Sequence, residues 1–358
     1  MKNKVIVMIS ASLLLALSLW NVLSVKSDYS ESERRVLARF PEVSMESVLS
    51  GEFADRFEDY VVDHFPKRDS WRKIKAYAKM NCLGQKDNNG LFQKDGHVSK
   101  IEYPMNVPML EHAVEVFSKI HEQYLNETNS IYLSVIPDKN RYLAAEKGYL
   151  SLDYDAFSAY MAEGMKFAKY IEISDLLEVD DYYYTDSHWR QEKITDVSDR
   201  LLEKMGSGTG EKRKYVKNIL ENPFYGVYVG QSALKCEPDM IDYLTSDVID
   251  DYLVDGAEAV YDLKKAEGKD PYEICLSGNQ PIVTISNPQN DSGKRLIIFR
   301  DSFGSSIAPL LAEEYSETVL IDLRYVSSDL IGQFVEFEGA DVLFLYSTML
   351  LNHSLAIK

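Results

Sequence analysis

Five short apolar runs, separated by stretches of helical periodicity, limit the possible folds of this chain more than any other feature. Their nearly continuous hydrophobicity is typical of parallel strands that are buried on both faces. Alternation of such strands with helices predicts an α/β fold, a parallel sheet covered by helices on both faces. The predicted strands are Ile131–Ile136, Tyr170–Ile173, Leu296–Phe299, Thr318–Ile321 and Val342–Tyr346. The predicted helices are Asp155–Lys169, Gln191–Met205, Ser305–Tyr315 and Ser328–Glu338.

Three side chains with complementary chemistry fall at one edge of this predicted sheet. Asp186 and His188 lie on the long loop after the second strand, and Ser302 directly follows the third. Ligands bind outside the carboxyl ends of parallel strands, so this edge is the functional one. A serine hydroxyl attacks an acyl group only when an imidazole takes its proton and a carboxylate orients the imidazole. The sequence therefore predicts Ser302 as nucleophile, His188 as base and Asp186 as the orienting acid.

The same residues also have a purely structural interpretation. Asp186 or Ser187 would cap a helix beginning near Trp189, and Asp301 or Ser302 would cap the helix that follows. However, a serine between a strand end and a helix start lies beside unpaired backbone N–H groups. With the helix dipole, those donors would form part of an oxyanion hole. Gly304 would allow the tight bend, and the histidine at the same edge favours the catalytic interpretation.

A series of motifs follows the first helix along nearly the whole chain. They are Ser32–Ala38 with Phe40-Pro41, Phe57–Tyr60 leading to Asp63–Asp69, Ile136–Lys139, Tyr184–Trp189, Arg300–Gly304 and Asp322–Tyr325. In these motifs the chain resembles the DHHW family of bacterial proteins, which is similar to the alginate O-acetyltransferases AlgX and AlgJ of the SGNH hydrolase-like superfamily. The resemblance implies a three-layer αβα fold and catalytic roles for Ser302, His188 and Asp186. It also implies substrates among cell-surface polysaccharide hydroxyls or their acetyl esters.

The chain departs from these families at two positions. Ser187 occupies the second position of the DHHW motif, where the family has histidine, and Arg300 stands where SGNH enzymes usually carry glycine. Neither change removes one of the three predicted catalytic residues. The asparagine that SGNH enzymes use as an oxyanion donor has two candidates here, Asn279 and Asn352, and both fit equally well as turn residues.

Further candidate contacts with a substrate lie at the same edge. Arg324 and Tyr325 follow the fourth strand, where a guanidinium and a phenol would hold a sugar hydroxyl, a carboxylate or an acyl carbonyl. Asp138 and Lys139 follow the first strand, and for them a structural ion-pair network is favoured. Tyr182, Tyr183 and Tyr184 would either stack on sugar rings or pack against the sheet. The predicted substrate contacts are Arg324, Tyr325, Tyr184, Trp189 and Asn279.

Composition and spacing exclude several other classes of function. The 358 residues carry a formal net charge of −18, which argues against binding to nucleic acid or to anionic membrane surfaces. The sequence has no glycine-rich phosphate loop, and its six histidines are scattered without metal-ligand spacing, so we expect neither cofactor nor metal. Cys236 and Cys275 would form a disulfide in an oxidising compartment, but three cysteines fit buried free thiols better.

The amino terminus predicts the location of the protein. Lys2 and Lys4 precede an uncharged apolar stretch long enough to span a bilayer, without a convincing cleavage site, which predicts a single-pass signal anchor over residues 1–27. A helical neck is expected over residues 28–80, with an apolar face that either packs on the main domain or docks a membrane-embedded partner. The α/β domain would occupy residues 81–358, with an insertion at about 206–290 that bounds a polymer cleft.

Together these features predict an extracytoplasmic O-acetyltransferase of surface polysaccharide. Because acetyl-coenzyme A is cytoplasmic, the resemblance implies that a membrane-bound O-acyltransferase supplies the acetyl groups. Two alternatives remain open at this point: an acetyl esterase with the same three residues, and a non-catalytic glycan-binding or assembly protein.

Overall fold

The chain divides into two compact units. The computed structural model describes residues 2–144, 148–208, 210, 213–268 and 270–358. The first unit, which we call the anchor unit after the signal anchor predicted in it, comprises Met1–Asn89 and Val229–Lys235, and the second, the sheet unit, comprises Gly90–Tyr228 and Cys236–Lys358. Positions 209, 211, 212 and 269 of the predicted insertion lie outside the described residues.

The strands and helices alternate through most of the sheet unit. The strands are β1 (Tyr29–Ser30), β2 (Arg35–Val36), β3 (Leu91–Lys94), β4 (His97–Lys100), β5 (Ser130–Ile136), β6 (Lys169–Tyr170), β7 (Val216–Ile219), β8 (Asp242–Thr245), β9 (Leu253–Asp255), β10 (Ile282–Ser286), β11 (Arg295–Arg300), β12 (Glu317–Ile321) and β13 (Asp341–Ser347). The α-helices are α1 (Lys2–Leu23), α2 (Met45–Ser50), α3 (Glu52–Asp63), α4 (Arg68–Tyr77), α5 (Val107–Tyr124), α6 (Asn140–Leu143), α7 (Tyr154–Gly164), α8 (Thr195–Met205), α9 (Val227–Ser232), α10 (Asp247–Asp250), α11 (Gly304–Leu311) and α12 (Thr348–Leu351).

The anchor unit begins with a helix that is long and apolar enough to cross a membrane. Within α1, the stretch Asn3–Leu23 contains an 18-residue window with a mean hydropathy of 2.2. A membrane-spanning helix needs about 20 such residues, and a signal sequence has a similar character. The end of α1 contacts α3, because the side-chain amide of Asn21 donates to the carbonyl of Val61 at 3.2 Å.

Two of the sequence motifs meet in the anchor unit. Arg35 donates to both carboxylate oxygens of Asp63, at 2.9 and 2.5 Å, and Arg68 forms an ion pair with Glu33. Bidentate arginine–carboxylate pairs fix geometry as well as charge. Helices α3 and α4 lie in the segment predicted as a neck, and the rings of Phe53, Phe57 and Tyr60 on α3 surround the ring of Phe40.

A seven-stranded, mostly parallel sheet forms the centre of the sheet unit. Its strand order is β6-β5-β13-β11-β12-β10-β9. The pairs from β6 to β12 are all parallel, whereas β10 runs antiparallel to both β12 and β9. The two outermost strands on this side, β9 and β10, belong to the segment predicted as an insertion. The fold is therefore α/β, with a sheet that is mostly parallel and becomes antiparallel at this edge.

Two hydrophobic cores cover the two faces of this sheet. Side chains alternate along each strand, so that Leu296 and Ile298 of β11 enter one core while Ile297 and Phe299 enter the other. Residues of α8 and α11 complete the first core, and residues of α5 and α7 complete the second. Helices on both faces give the expected layered arrangement, and the carboxyl ends of the central strands remain together at one edge.

Several predicted elements differ from the observed ones. Of the second predicted strand, Tyr170–Ile173, only Tyr170 lies in an observed strand, β6. This two-residue strand lies at the edge of the sheet, where it pairs with β5. The helix predicted over Ser328–Glu338 is absent except for a 3-10 turn at Ile331–Gln333. Gly332 weakens helical propensity there, and it lies against the ring of Tyr124, where a Cβ would come within 2.4 Å. The long helix α5 and the β3–β4 hairpin were not predicted.

Candidate active site

The turn that carries Ser302 joins the end of β11 to the start of α11. One carboxylate oxygen of Asp301 accepts the Phe303 N–H at 3.0 Å, which closes the turn. The other oxygen accepts the backbone N–H and the hydroxyl of Ser347, at 2.9 and 2.6 Å, at the end of the adjacent strand β13. Asp301 therefore fixes the turn to the sheet. Gly304 is needed for close packing, since a Cβ there would lie 2.6 Å from the Cβ of Arg300.

A second loop brings Asp186 and His188 to the same edge. Tyr182 and Trp189 form an antiparallel bridge, and the Tyr183 N–H donates to the His188 carbonyl at 3.1 Å. The chain between them projects as a narrow hairpin end, residues Thr185–His188, which we call the Asp186 turn. Trp189 thus continues an extended segment, and the helix once expected to begin near it starts at Thr195.

The structure brings the three predicted residues together in hydrogen-bonding order. Nδ1 of His188 lies 2.6 Å from Oδ1 of Asp186, and Nε2 lies 2.7 Å from Oγ of Ser302. With the hydrogen on Nδ1, the ring donates to the carboxylate and its Nε2 accepts the serine hydroxyl. Asp186 is 1% exposed, while His188 and Ser302 are half-buried. This geometry permits transfer of a proton from the hydroxyl to the imidazole, with the resulting charge facing a buried carboxylate.

Aromatic rings hold the imidazole in place. The ring of Tyr272 stacks on His188 with centroids 4.0 Å apart, and the ring of Phe303 contacts it at 4.8 Å. The buried Tyr272 hydroxyl donates to Oγ of Ser306 at 3.0 Å, which fixes the stacking ring on α11. The sequence did not indicate Tyr272, because it lies in an irregular segment that carries no motif.

Trp189, predicted as a substrate contact, occupies a different place. Its side chain is 0% exposed, and Nε1 donates to the Phe303 carbonyl at 3.1 Å and to Oγ of Ser306 at 2.9 Å. A fully buried ring with its only polar atom bonded cannot contact a substrate. We therefore correct the prediction that Trp189 contacts a substrate: its buried ring links the Asp186 turn to the Ser302 turn.

Arg324, Tyr325 and Asn279 lie together at the surface. The guanidinium of Arg324 binds both carboxylate oxygens of the buried Asp322, at 2.8 and 2.6 Å, and also donates to Oδ1 of Asn279 at 3.4 Å. It stacks over the ring of Tyr325, which is 50% exposed. Arg300 is fully buried beside Asp322, and burial lowers the pKa of its guanidinium. Tyr325 and Asn279 therefore remain accessible, while Arg324 is held by Asp322.

The remaining candidates separate into buried and exposed groups. Tyr182 and Tyr183 are buried, and the Tyr182 hydroxyl donates to the Pro137 carbonyl at 2.6 Å, so both pack rather than stack on a ligand. Tyr184 is exposed and lies over the imidazole of His97 with centroids 4.2 Å apart. The buried side chain of Asn352 bonds to the backbone of Pro104 and Asn106, which leaves Asn279 as the accessible candidate of the two.

Asp138 and Lys139 are buried, but hydrogen bonds with hydroxyl and backbone groups take the place of the ion pairs that were expected for them. The Asp138 carboxylate accepts hydrogen bonds from the hydroxyls of Tyr154 and Thr348, and burial raises its pKa to about 6. Lys139 contacts the backbone before the Asp186 turn. No disulfide joins Cys236 to Cys275, and no cluster of metal-ligating side chains occurs among the described residues.

The fold and the three juxtaposed side chains define an α/β protein with a serine–histidine–aspartate arrangement at its sheet edge. Comparison with solved structures gives the particular relatives. A DHHW family protein from Eubacterium siraeum superposes with a TM-score of 0.57 at 20% identity, covering 74% of this chain and 93% of that one. Bacillus cereus PatB1, in a structure with a sulfonyl adduct, superposes with a TM-score of 0.60 at 17% identity, covering 73% of this chain and 95% of that one.

A third solved structure superposes less well on this chain. The O-acetyltransferase domain of Pseudomonas putida AlgJ aligns at 11% identity with a TM-score of 0.46, covering 74% of this chain and 92% of that domain. No protein-family model matches the sequence, and no curated protein matches it. The chain accordingly resembles the DHHW family protein and PatB1 in fold.

Proposed function

We propose that this protein is a membrane-anchored, extracytoplasmic O-acetyltransferase of the SGNH hydrolase-like class that acts on cell-surface polysaccharide. The observation that carries the proposal is the hydrogen-bonded series from Asp186 through His188 to Ser302, with distances of 2.6 and 2.7 Å. These distances lie within the range expected for a nucleophile and its base. The shared fold with PatB1 and with the DHHW family protein supports the class.

The proposed reaction proceeds through an acetyl-enzyme. Oγ of Ser302 attacks the carbonyl carbon of an acetyl donor, and Nε2 of His188 takes the hydroxyl proton. The tetrahedral intermediate collapses, the bond to the leaving group breaks, and the leaving group departs with the proton from His188. A sugar hydroxyl then attacks the acetyl-enzyme while His188 takes its proton. Collapse of the second intermediate gives the acetyl sugar and returns the proton to Ser302.

The Ser302 turn supplies a donor for the oxyanion of both intermediates. Within the described part of the chain, no acceptor is found for the Ser302 N–H, which lies just before the first turn of α11. An N–H in this position points toward negative charge developing on the acyl oxygen. The proposed contacts with the acceptor sugar are the exposed side chains of Asn279, Tyr325 and Tyr184, together with the guanidinium of Arg324.

The proposed location follows from α1. An uncleaved apolar helix with lysines in its first turn would hold the amino terminus in the cytoplasm and the sheet unit outside. Because acetyl-coenzyme A is cytoplasmic, the acetyl group would reach Ser302 through a membrane-bound O-acyltransferase. The partners of the protein would then be that acyltransferase, the polysaccharide and the bilayer, with no cofactor and no nucleic acid.

The test compares transfer with hydrolysis. The full chain in detergent is incubated with a chromogenic acetyl ester, with and without de-O-acetylated surface polysaccharide from the producing cells. We expect chromophore release and acetyl groups on the polysaccharide, both lost in Ser302→Ala. Chromophore release without acetylation of the polysaccharide would contradict transfer and indicate an esterase. Absence of turnover and of reaction with a sulfonyl fluoride, in folded protein, would indicate a binding or assembly protein.

A further inference from the structure

A buried lysine donates hydrogen bonds to the backbone just before the Asp186 turn. Lys139 follows β5 and is 1% exposed. Its Nζ donates to the carbonyls of Tyr183 and Tyr184, at 2.8 and 3.1 Å, and lies 5.2 Å from the ring centre of Tyr228. Lysine is almost never fully buried unless it is paired, so these contacts indicate a specific role for its charge.

A buried carboxylate holds the same backbone by its N–H groups. Asp239 accepts the N–H of Tyr184 and the N–H of Thr185, each at 2.8 Å, and the Thr185 hydroxyl at 2.5 Å. Asp239 is itself fixed by paired backbone hydrogen bonds with Phe224, both of 2.8 Å. Lys139 and Asp239 thus bind the carbonyl and N–H groups of one short segment.

A third segment reaches the turn itself. The Gly226 N–H donates to the Thr185 hydroxyl at 2.8 Å, and the Val227 N–H donates to Oδ2 of Asp186 at 2.9 Å. The second oxygen of Asp186 is therefore held, while the first faces His188. Three segments that are distant in sequence, around residues 139, 226 and 239, together fix the direction of this carboxylate.

The charges in this region are arranged around Lys139. Asp186 and Asp239 are buried carboxylates that stabilise its ammonium, and Asp138 precedes it on the same loop. The thiol of Cys236 and the imidazole of His97 are the other titratable groups that interact with it. Burial lowers the pKa of Lys139 to about 7, although these carboxylates oppose the change. While it is protonated, Lys139 is the cation that balances Asp186 and Asp239.

We propose that Lys139 is a positioning residue, which holds the backbone of the Asp186 turn and balances the charge of Asp186, so that the Asp186–His188 pair stays aligned on Ser302. The inference rests on the proposed function, because it takes His188 to be the base. Replacing Lys139 by methionine removes two hydrogen bonds from the backbone just before the Asp186 turn. The hydrogen bond between His188 and Asp186 should therefore weaken, which would not happen if Lys139 served packing alone.

The experiment uses the full chain with Lys139→Met, Lys139→Gln and Lys139→Arg, and the exposed Lys119→Met as a matched control. Two quantities are measured at one pH: the rate of sulfonyl fluoride labelling, and the downfield proton resonance of the imidazole N–H bonded to Asp186. Thermal unfolding checks the fold of each variant. We expect labelling of K139M and K139Q to fall about 100-fold, as for a misplaced catalytic group. In both, the resonance should weaken, and K139R should restore it.

Each outcome bears on the inference. A folded K139M that keeps the labelling rate and the resonance would overturn it. A lower rate with an unchanged resonance would overturn it as well, since it would assign Lys139 to packing alone. Failure of all three variants to fold would do the same, because Lys139 would then serve the fold as a whole. If the wild type is not labelled, the proposed function fails, and the resonance still tests the positioning role.

Discussion

Gly226 lies directly against Asp186, so closely that only a hydrogen atom fits between them. A Cβ placed on Gly226 would lie 2.4 Å from the Cβ of Asp186 and 2.4 Å from the carbonyl oxygen of Thr185. The acidic member of the proposed catalytic group thus depends on a glycine 40 residues further along the chain, in a segment outside the regular strand–helix alternation.

Gly226→Ala should displace Asp186 while leaving all three proposed catalytic side chains present. A displacement of about 1 Å costs up to about 100-fold in rate, and we expect a loss of that order in kcat/KM for a chromogenic acetyl ester. Gly208→Ala is the control, because its Cβ would meet only backbone at 3.3 Å. A Gly226→Ala enzyme with wild-type kinetics would show that Asp186 does not need its observed position.

Asp186→Asn should be far more damaging than a change at the adjacent residue. An amide cannot hold the imidazole in the required tautomer or stabilise its protonated form, and the expected loss in kcat is about 10⁴-fold. Ser187 contacts Oδ1 of Asp186 only at 3.4 Å, so Ser187→Ala should change the rate less than about 10-fold. Steady-state kinetics with the same ester measures both. Equal losses in the two variants would contradict the assigned role of Asp186.

Trp189→Phe tests the corrected placement of this ring. The substitution keeps an aromatic ring but removes the N–H that serves the Phe303 carbonyl and the Ser306 hydroxyl. Leaving buried acceptors unsatisfied costs about 1–3 kcal/mol, and we expect the free energy of unfolding to fall by that amount in denaturant titrations. KM for the ester should stay unchanged. A raised KM with full stability would return Trp189 to the substrate-binding residues.

His97 should make stability depend on pH in a defined direction. Burial, with Lys139 nearby, lowers the pKa of His97 from 6.5 to about 4. Between pH 6.5 and pH 4 the imidazole binds a proton in the unfolded chain but not in the folded protein. Stability therefore falls as the pH drops from 6.5 to 4. Each unit of difference between the two pKa values corresponds to about 1.4 kcal/mol, so the free energy of unfolding should fall by about 3 kcal/mol. In His97→Gln this loss should disappear, as seen in free energies of unfolding relative to wild type.

Asp138 provides the control of opposite sign for the same measurement. Its raised pKa of about 6 means that the folded protein holds a proton which the unfolded chain releases above its ordinary value of 3.8. Stability from this group therefore rises as the pH falls through the same window, and Asp138→Asn should remove the rise. Curves that run parallel to wild type for either variant would contradict its assigned environment.

The juxtaposition of Ser302 and His188 could be predicted from the sequence because both follow strands of a recognisable parallel pattern. Strand periodicity determines which chain segments emerge at the functional edge, and no detailed packing is needed for that step. The hydrogen-bond order of the three residues also follows from their chemistry. These are the parts of the site that local patterns encode.

The surroundings of the site could not be predicted in the same way. Trp189 and Tyr182 are amphipathic rings on a loop, and whether such rings face solvent or the sheet depends on distant helices. Tyr272, Asp239 and Val227 belong to short turns and connections outside the strand–helix alternation, and their contacts with the site are purely tertiary. The antiparallel strand β10 was not predicted as a member of the sheet, because its short apolar run does not follow a helix in the strand–helix alternation.

Ser302 is proposed to form a covalent acetyl intermediate with His188 as its base. This intermediate can be detected by mass spectrometry of the full chain after brief incubation with a chromogenic acetyl ester, followed by peptide mapping. We expect a mass increase of one acetyl group on the peptide that contains Ser302, lost in Ser302→Ala and strongly reduced in His188→Ala. An acetyl group on another residue, or turnover of the ester by Ser302→Ala at the wild-type rate, would contradict it.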